Sequence, residues 1–508
     1  MGWGVVESDV NKFPPGTVNL VNKPDDEILA VQVGVKKRGN VILQPQPSDS
    51  PNDPLNWSQS LKIAHVSVLA FLSAAAGVVP VMIQPGLTIL ADQFQVSPDT
   101  VSSLTIGALA FWTAVASFVV VSAAYKSDNF GLLVAMRTIT GLASAPGFSL
   151  LTATIADIFF VHERGFYIAI WNICLGSGGQ IGCTGYLRIH YRGSRVPAVF
   201  GFAAIVFALL MVASYFLALE STYDRPEPKA IDYDSKDDFD FEDEEDLKAP
   251  RASQVKKPYF QQLALWNGRL SNQSFWLGVV KPFGLIVFPA VAYGVLAFTV
   301  AFSFLVGVPI LTSVVFAQPP YNLTPSQIGL TNLPLVAVSI IGGLFTGWFA
   351  NVAGNYMART NGSQAGVFEP EFRLVLLVIS GPITTAGLIG TGIALDQALP
   401  LAWVLVWMSV FSFGTLFNVQ VILTYVVDCF PEKSGQAFST INLVSSLVIF
   451  VGSGVLITWY ETVGPMVVFG SLAAASFITL VTTIPLYVFG KRMRAYMAGL
   501  EWTHKLLN

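Results

Sequence analysis

The chain has 508 residues, of which 53% are apolar and only 12% charged, with a mean hydropathy of +0.59. A soluble chain carries about 25% charged residues, and a charge at a bilayer centre costs about 2.5 kcal/mol or more, so this composition excludes a soluble enzyme and describes a surface facing lipid. The net charge of −4 averages basic termini with one acidic tract and carries no nucleic-acid signature.

Residues 1–61 are polar, Pro-containing and mixed in charge, with no cleavable signal, and are expected to form a cytosolic arm. Apolar runs of span length follow at 62–84, 101–124, 131–157, 165–187 and 196–219, then at 283–316, 328–351, 373–394, 400–427, 436–459 and 466–490. Each is expected to be a helix, because a lone helix satisfies its own backbone in hydrocarbon. The chain thus divides into an N-terminal bundle, 62–219, a linker, 220–281, a C-terminal six-helix bundle, 282–490, and a cytosolic tail, 491–508. The linker holds the acidic tract Asp232 to Asp246 and is expected to be disordered. Its end, from Tyr259 to Trp276, reads either as an amphipathic surface helix or as a loop with scattered aromatics. Lys and Arg near the span ends place arm, linker and tail in the cytosol. Six spans in the second group satisfy this orientation and five in the first do not.

The cysteines Cys174, Cys183 and Cys429 form no CxxC pair and the four histidines are scattered, so neither a metal site nor a cofactor is expected. A membrane enzyme, which would need a clustered constellation such as several histidines, is the disfavoured class.

Five segments carry a resemblance: Asp53-Pro54-Leu55-Asn56-Trp57 before the first run, Arg137-Thr138-Ile139-Thr140-Gly141, the turn from Asp157 to Gly165, Asn361-Gly362 with Glu369-Pro370-Glu371-Phe372-Arg373-Leu374, and Thr424-Tyr425-Val426-Val427-Asp428. Together they resemble the major facilitator superfamily, in particular its fungal twelve-span drug:proton antiporter-like branch, polyamine-transporter-like members included. The resemblance implies an all-α integral membrane protein with two helix bundles, cargo near the midplane between them, and halves that rock about it. It implies a secondary active transporter, with proton-coupled efflux of a drug-like compound or secondary metabolite first and import of small organic cations such as polyamines as the alternative.

The sequence departs from that pattern in the first half. The second run ends at Val121, and Ser122 to Asn129 leads straight into the Arg137 motif, so a loop and one span of the family plan are absent. A transport-inactive product is a further alternative on that ground. The loop after the fifth family span carries Arg188, Arg192 and Arg195, against the positive-inside trend.

Arg137 lies within an apolar run; the resemblance gives it a part in coupling or substrate binding, and the plain reading is a snorkelling side chain. Gln84, Trp112, Asn172, Gln180, Tyr293, Asn418, Gln420, Tyr425 and Asn442 are the candidate path lining, some of which simply staple helices together. Asp157, Glu163, Arg164, Glu369, Glu371, Arg373 and Asp428 read as gate residues or as ordinary solvated span ends. Gly176, Gly178, Gly179, Gly182 and Gly185 make one span glycine-rich, which favours close helix packing. Asn322 opens an Asn-Leu-Thr sequon in an external loop, whereas Asn361 is expected on the cytosolic side and unmodified. The expected partners are a small-molecule substrate, protons and the lipid bilayer, with the protein acting as a monomer in the plasma membrane.

Overall fold

The computed structural model describes residues 4–6, 14, 16–19, 36–38, 41–43, 45–81, 151, 154–155, 157–190, 197–217, 219, 258–262, 282–361, 367–430, 433–500 and 503. Arg137, Gln84, Trp112, the junction at Val121 and most of the linker lie outside them.

Among the described residues nine long helices form: α1 (Gln59–Val81), α2 (Val161–His190), α3 (Pro197–Leu217), α4 (Pro289–Val315), α5 (Leu333–Arg359), α6 (Val375–Asp396), α7 (Leu401–Cys429), α8 (Ser434–Ser453) and α9 (Pro465–Ala498). With 1.5 Å of rise per residue, about 20 residues cross the ~30 Å hydrocarbon core. The six helices α4 to α9 are long and apolar enough to do so, matching the six runs read in the second half. Proline at the first turn sets where α4 and α9 begin, since its missing N–H would have no partner there anyway. A short helix, Pro325–Leu330, precedes α5 and opens on a capping box between Thr324 and Gln327.

Several boundaries differ from the hydropathy reading, and two of them have a visible cause. The run 436–459 breaks at Gly454, and a separate helix, Leu456–Val463, follows. The last helix continues past residue 490 to Ala498, because the charges on its final turns are paired inside the protein, as described below.

In the second half α6 lies between α7 and α9, and α4 packs on α7, α8 and α9. In the first half α1 packs on α2 and α3. The halves meet where α2 lies against α5, the short helix Pro325–Leu330 and α7. One apolar core runs through both, joining Val66, Phe159, Ile168 and Trp171 to Phe417, Ile422 and Phe438. Large apolar side chains turn outward on the perimeter, with Leu209 66%, Ile341 68% and Val451 60% exposed. On a soluble protein such a perimeter would be an aggregation liability; around a membrane span it is the lipid face.

Four two-residue strands complete the architecture. β1 (Val18–Asn19) pairs antiparallel with β4 (Val367–Phe368), with Val18 opposite Phe368, while β2 (Lys37–Arg38) and β3 (Val41–Ile42) form a hairpin. The described residues of the arm's start, residues 367–374 and the last turns of α9 gather at one end of the bundle, called here the basic end.

Candidate functional site

The contact between the halves is built on small residues of α2. A Cβ on Gly347 of α5 would lie 2.5 Å from the Cβ of Ala169, Gly343 sits directly against Ile173, and Gly165 faces the side-chain oxygen of Asn351. A Cβ on Gly176 would lie 3.0 Å from Leu416 of α7. With no side chain at these positions the helix backbones approach closely, which is how helices associate where lipid tails offer no hydrophobic drive. The same helix meets α1 through Gly178, where a Cβ would lie 2.5 Å from the Ala74 carbonyl oxygen.

Across this seam runs a polar bridge. The Gln420 side chain donates to the Gly165 carbonyl (3.2 Å) and accepts from Asn172 Nδ2 (3.1 Å), and both side chains are buried. Two sequence-derived candidates, one from each half, are thereby brought together. A neutral amide pair suits a seam that opens, because each partner can exchange its bond for one to water at a net difference of about 1 kcal/mol. Gln180, two turns further along α2, is buried, and its carboxamide oxygen has no hydrogen-bond partner among the described residues.

The gate candidates converge at the basic end. Arg373, on the 3-10 turn Pro370–Leu374, pairs with Asp428 at the end of α7 (2.9 Å) and donates to the Ala350 carbonyl and Asn351 Oδ1 in the C-terminal half of α5 (3.3 and 3.5 Å). Arg494 grips Glu371 with two bonds (2.9 and 2.7 Å) and reaches Glu369 (3.1 Å), while Lys491 pairs with Glu369 (2.7 Å). All six of these side chains are buried. Lys491 and Arg494 stand three residues apart on one face of α9, opposite the two carboxylates. Sequence reading assigned both to the solvated tail; their spacing and the facing Glu-Pro-Glu were the signal available.

In the first half Arg164 is buried and its Nε donates to the Phe159 carbonyl (3.1 Å). Asp157 and Glu163 are half-buried in the same turn. The Asp53 to Trp57 segment folds back on itself. Asp53 accepts from the Leu55 and Ser48 amides (3.0 and 2.8 Å), and the Leu55 carbonyl accepts from Lys62 (3.0 Å), whose ammonium lies over the Phe159 and Phe160 rings. This turn thus anchors the start of α1 to the turn before α2.

The remaining candidates lie inside the second half. The hydroxyls of Tyr293 and Thr483 share a bond of 2.6 Å, and Asn418 accepts from Ser380 and donates to Thr384 (3.0 Å). Tyr293, Thr384, Asn418 and Thr483, with Ser476 and Thr479, line a cavity of about 20 Å³, room for about one water molecule. Tyr425 is fully enclosed and meets the Tyr293 ring edge-on, and Asn442 is half-buried on α8. Ser380, Thr384 and Thr483, which complete these bonds, gave no signal in the sequence beyond being hydroxyls in apolar runs. No group of three or more His, Cys, Asp or Glu side chains suited to a metal occurs among the described residues.

Residues 52–453 match the family model described as Major Facilitator Superfamily. An uncharacterised MFS-type transporter of Schizosaccharomyces pombe is 23% identical over 96% of this chain and 94% of its own length. Protein HOL1 of Saccharomyces cerevisiae is 21% identical over 95% of this chain and 96% of its own. A trichosetin biosynthesis cluster MFS transporter of Gibberella fujikuroi is 22% identical, over 90% and 91%.

Proposed function

The chain belongs to the major facilitator superfamily, a family of multi-pass membrane transporters and not of enzymes, and on that premise we propose that it exports a small neutral or amphipathic organic molecule in exchange for protons. The cargo path runs between the halves, and the α2 seam is its closed gate at the basic, cytosolic end. The observation that carries this reading is the Asn172–Gln420–Gly165 bridge, a polar contact joining the two halves where alternating access requires them to part.

The charge distribution supports neutral cargo over polyamines. A cation site needs a carboxylate without a protein partner, and the buried Glu369, Glu371 and Asp428 are each held by Arg or Lys at the basic end. The relative from a trichosetin biosynthesis cluster supports export of a secondary metabolite. In this reading Arg137 takes part in coupling, Asp157, Glu163 and Arg164 latch the first half, Glu369, Glu371, Arg373 and Asp428 latch the second, and a monomer acts in the plasma membrane.

The test is purified protein in proteoliposomes containing a pH-sensitive dye. The uncharged dye Nile red is expected to move, and protons to counterflow, only under an imposed pH gradient. Arg137→Ala is expected to abolish the coupled flux with expression unchanged. Gradient-dependent movement of spermidine without Nile red would select the polyamine reading, and no flux of any probe from a correctly inserted protein would select the inactive product.

A further inference from the structure

The N-terminal arm, which precedes the first half of the chain, is docked on the second half. Val5 is buried with Met357, Ala358, Phe368 and Phe372, and the Val6 amide donates to the Val488 carbonyl on α9 (3.0 Å). β1 adds a strand to β4, and Thr17 donates its hydroxyl to Glu369 Oε2 (2.7 Å). Gly16 lies flat on the end of α7: its φ is +90°, and a Cβ there would come 2.6 Å from the Asp428 carbonyl oxygen and 3.0 Å from Cys429 Cα. Only glycine combines that backbone conformation with that approach.

The elements gripped are those that close the seam. Asp428 holds Arg373, Arg373 holds Asn351, and Asn351 faces Gly165 of the first half. The arm therefore rests on the basic end of the seam, fastened by main-chain pairing of the kind that lets an extended segment bind a strand edge. Being part of the same chain, it acts at high effective concentration.

We propose that the docked stretches 4–6 and 16–19 of the arm are a built-in clasp that favours the arrangement closed at the cytosolic end, so that undocking the arm raises the rate of opening. A segment that binds one arrangement better than the other shifts the balance by the ratio of its affinities. The clasp rests on the alternating-access reading and adds a regulatory element to it.

Cys429, fully buried beneath Gly16, reports directly on the arm. In full-length protein carrying Cys174→Ser and Cys183→Ser, alkylation of Cys429 by N-ethylmaleimide in native membranes is expected to accelerate at least fivefold on deletion of residues 1–19 and on Gly16→Val. A synthetic peptide of residues 1–19 is expected to restore protection to the deleted form. Spin labels at Ile63→Cys and Tyr356→Cys, in a background free of native cysteines, are expected to gain a longer-distance population when the arm is removed. Unchanged alkylation, failure of the peptide to protect, or an unchanged distance distribution would each overturn the clasp. None of these bears on the carrier itself, which the proteoliposome flux decides independently.

Discussion

Arg494 gives Nε and Nη2 to the two oxygens of Glu371 and shares Nη2 with Glu369, while Lys491 covers the other oxygen of Glu369. The four charges cancel, which is what makes their burial tolerable: a buried ion is costly unless paired and hydrogen-bonded. Removing one partner leaves an uncompensated carboxylate, at a cost of about 3–5 kcal/mol. Arg494→Ala is therefore expected to lower the melting temperature of the detergent-purified protein markedly, and Arg494→Lys only partly to restore it, because an ammonium cannot reproduce the two-pronged grip. Equal melting temperatures for wild type and Arg494→Ala would show that the cluster contributes nothing. At this scale the sequence was half legible. Glu369, Glu371, Arg373 and Asp428 stood out as charges beside apolar runs, but Arg494 lies 123 positions from Glu371. Hydropathy weighs each charge as though it were alone, so it ended the last span at residue 490 and put Lys491 and Arg494 in water. Pairing across the fold is a tertiary property that no window of sequence contains.

The seam belongs to the scale of the element. On α2 the positions Gly165, Ala169, Ile173 and Gly176 recur at three- and four-residue spacing and face α5 and α7, the face that residues so spaced share on a helix. Of the glycines read as close packing in this run, Gly176 and Gly178 do pack closely, while which helices they meet did not follow from the sequence. For the runs that the structure describes, helix existence was legible because each is long and apolar; helix ends were less so, as the break at Gly454 illustrates, where apolar residues continue but the helix does not. A direct consequence can be measured at Gly347. Its Cβ position lies 2.5 Å from Ala169, so Gly347→Leu drives a side chain into the opposing helix and wedges the basic end apart. Overpacking of this kind costs about 1–3 kcal/mol. Transport in proteoliposomes is expected to fall at least tenfold with membrane insertion intact. Gly470→Leu on α9, where nothing stands within 4 Å, is the matched control and is expected to transport as wild type. Equal activity of the two variants would mean that the seam need not close.

For the whole molecule the question is which end faces the cytosol. The six helices of the second half return the chain to the side on which it entered, and the structure puts residues 367–374, the end of α9 and the docked arm together at one end. The opposite end carries the loop from Phe316 to Thr324, fastened where the Tyr321 hydroxyl donates to the Leu399 carbonyl (2.8 Å). Asn322 sits at that end, exposed and with a φ of +49°, a left-handed conformation that asparagine adopts more readily than most residues. The Lys and Arg bias assigns the basic end to the cytosol, because positive loops resist translocation. That assignment puts Asn322 on the far side, where the glycosylation machinery acts, and keeps the sequon at Asn361 away from it. Protein expressed in a glycosylating host is therefore expected to shift in mobility on treatment with peptide-N-glycosidase. The shift should vanish in Asn322→Gln and persist in Asn361→Gln. A shift that persists in Asn322→Gln would turn the molecule over in the bilayer and place the α2 seam, its buried ion pairs and the docked arm on the external side.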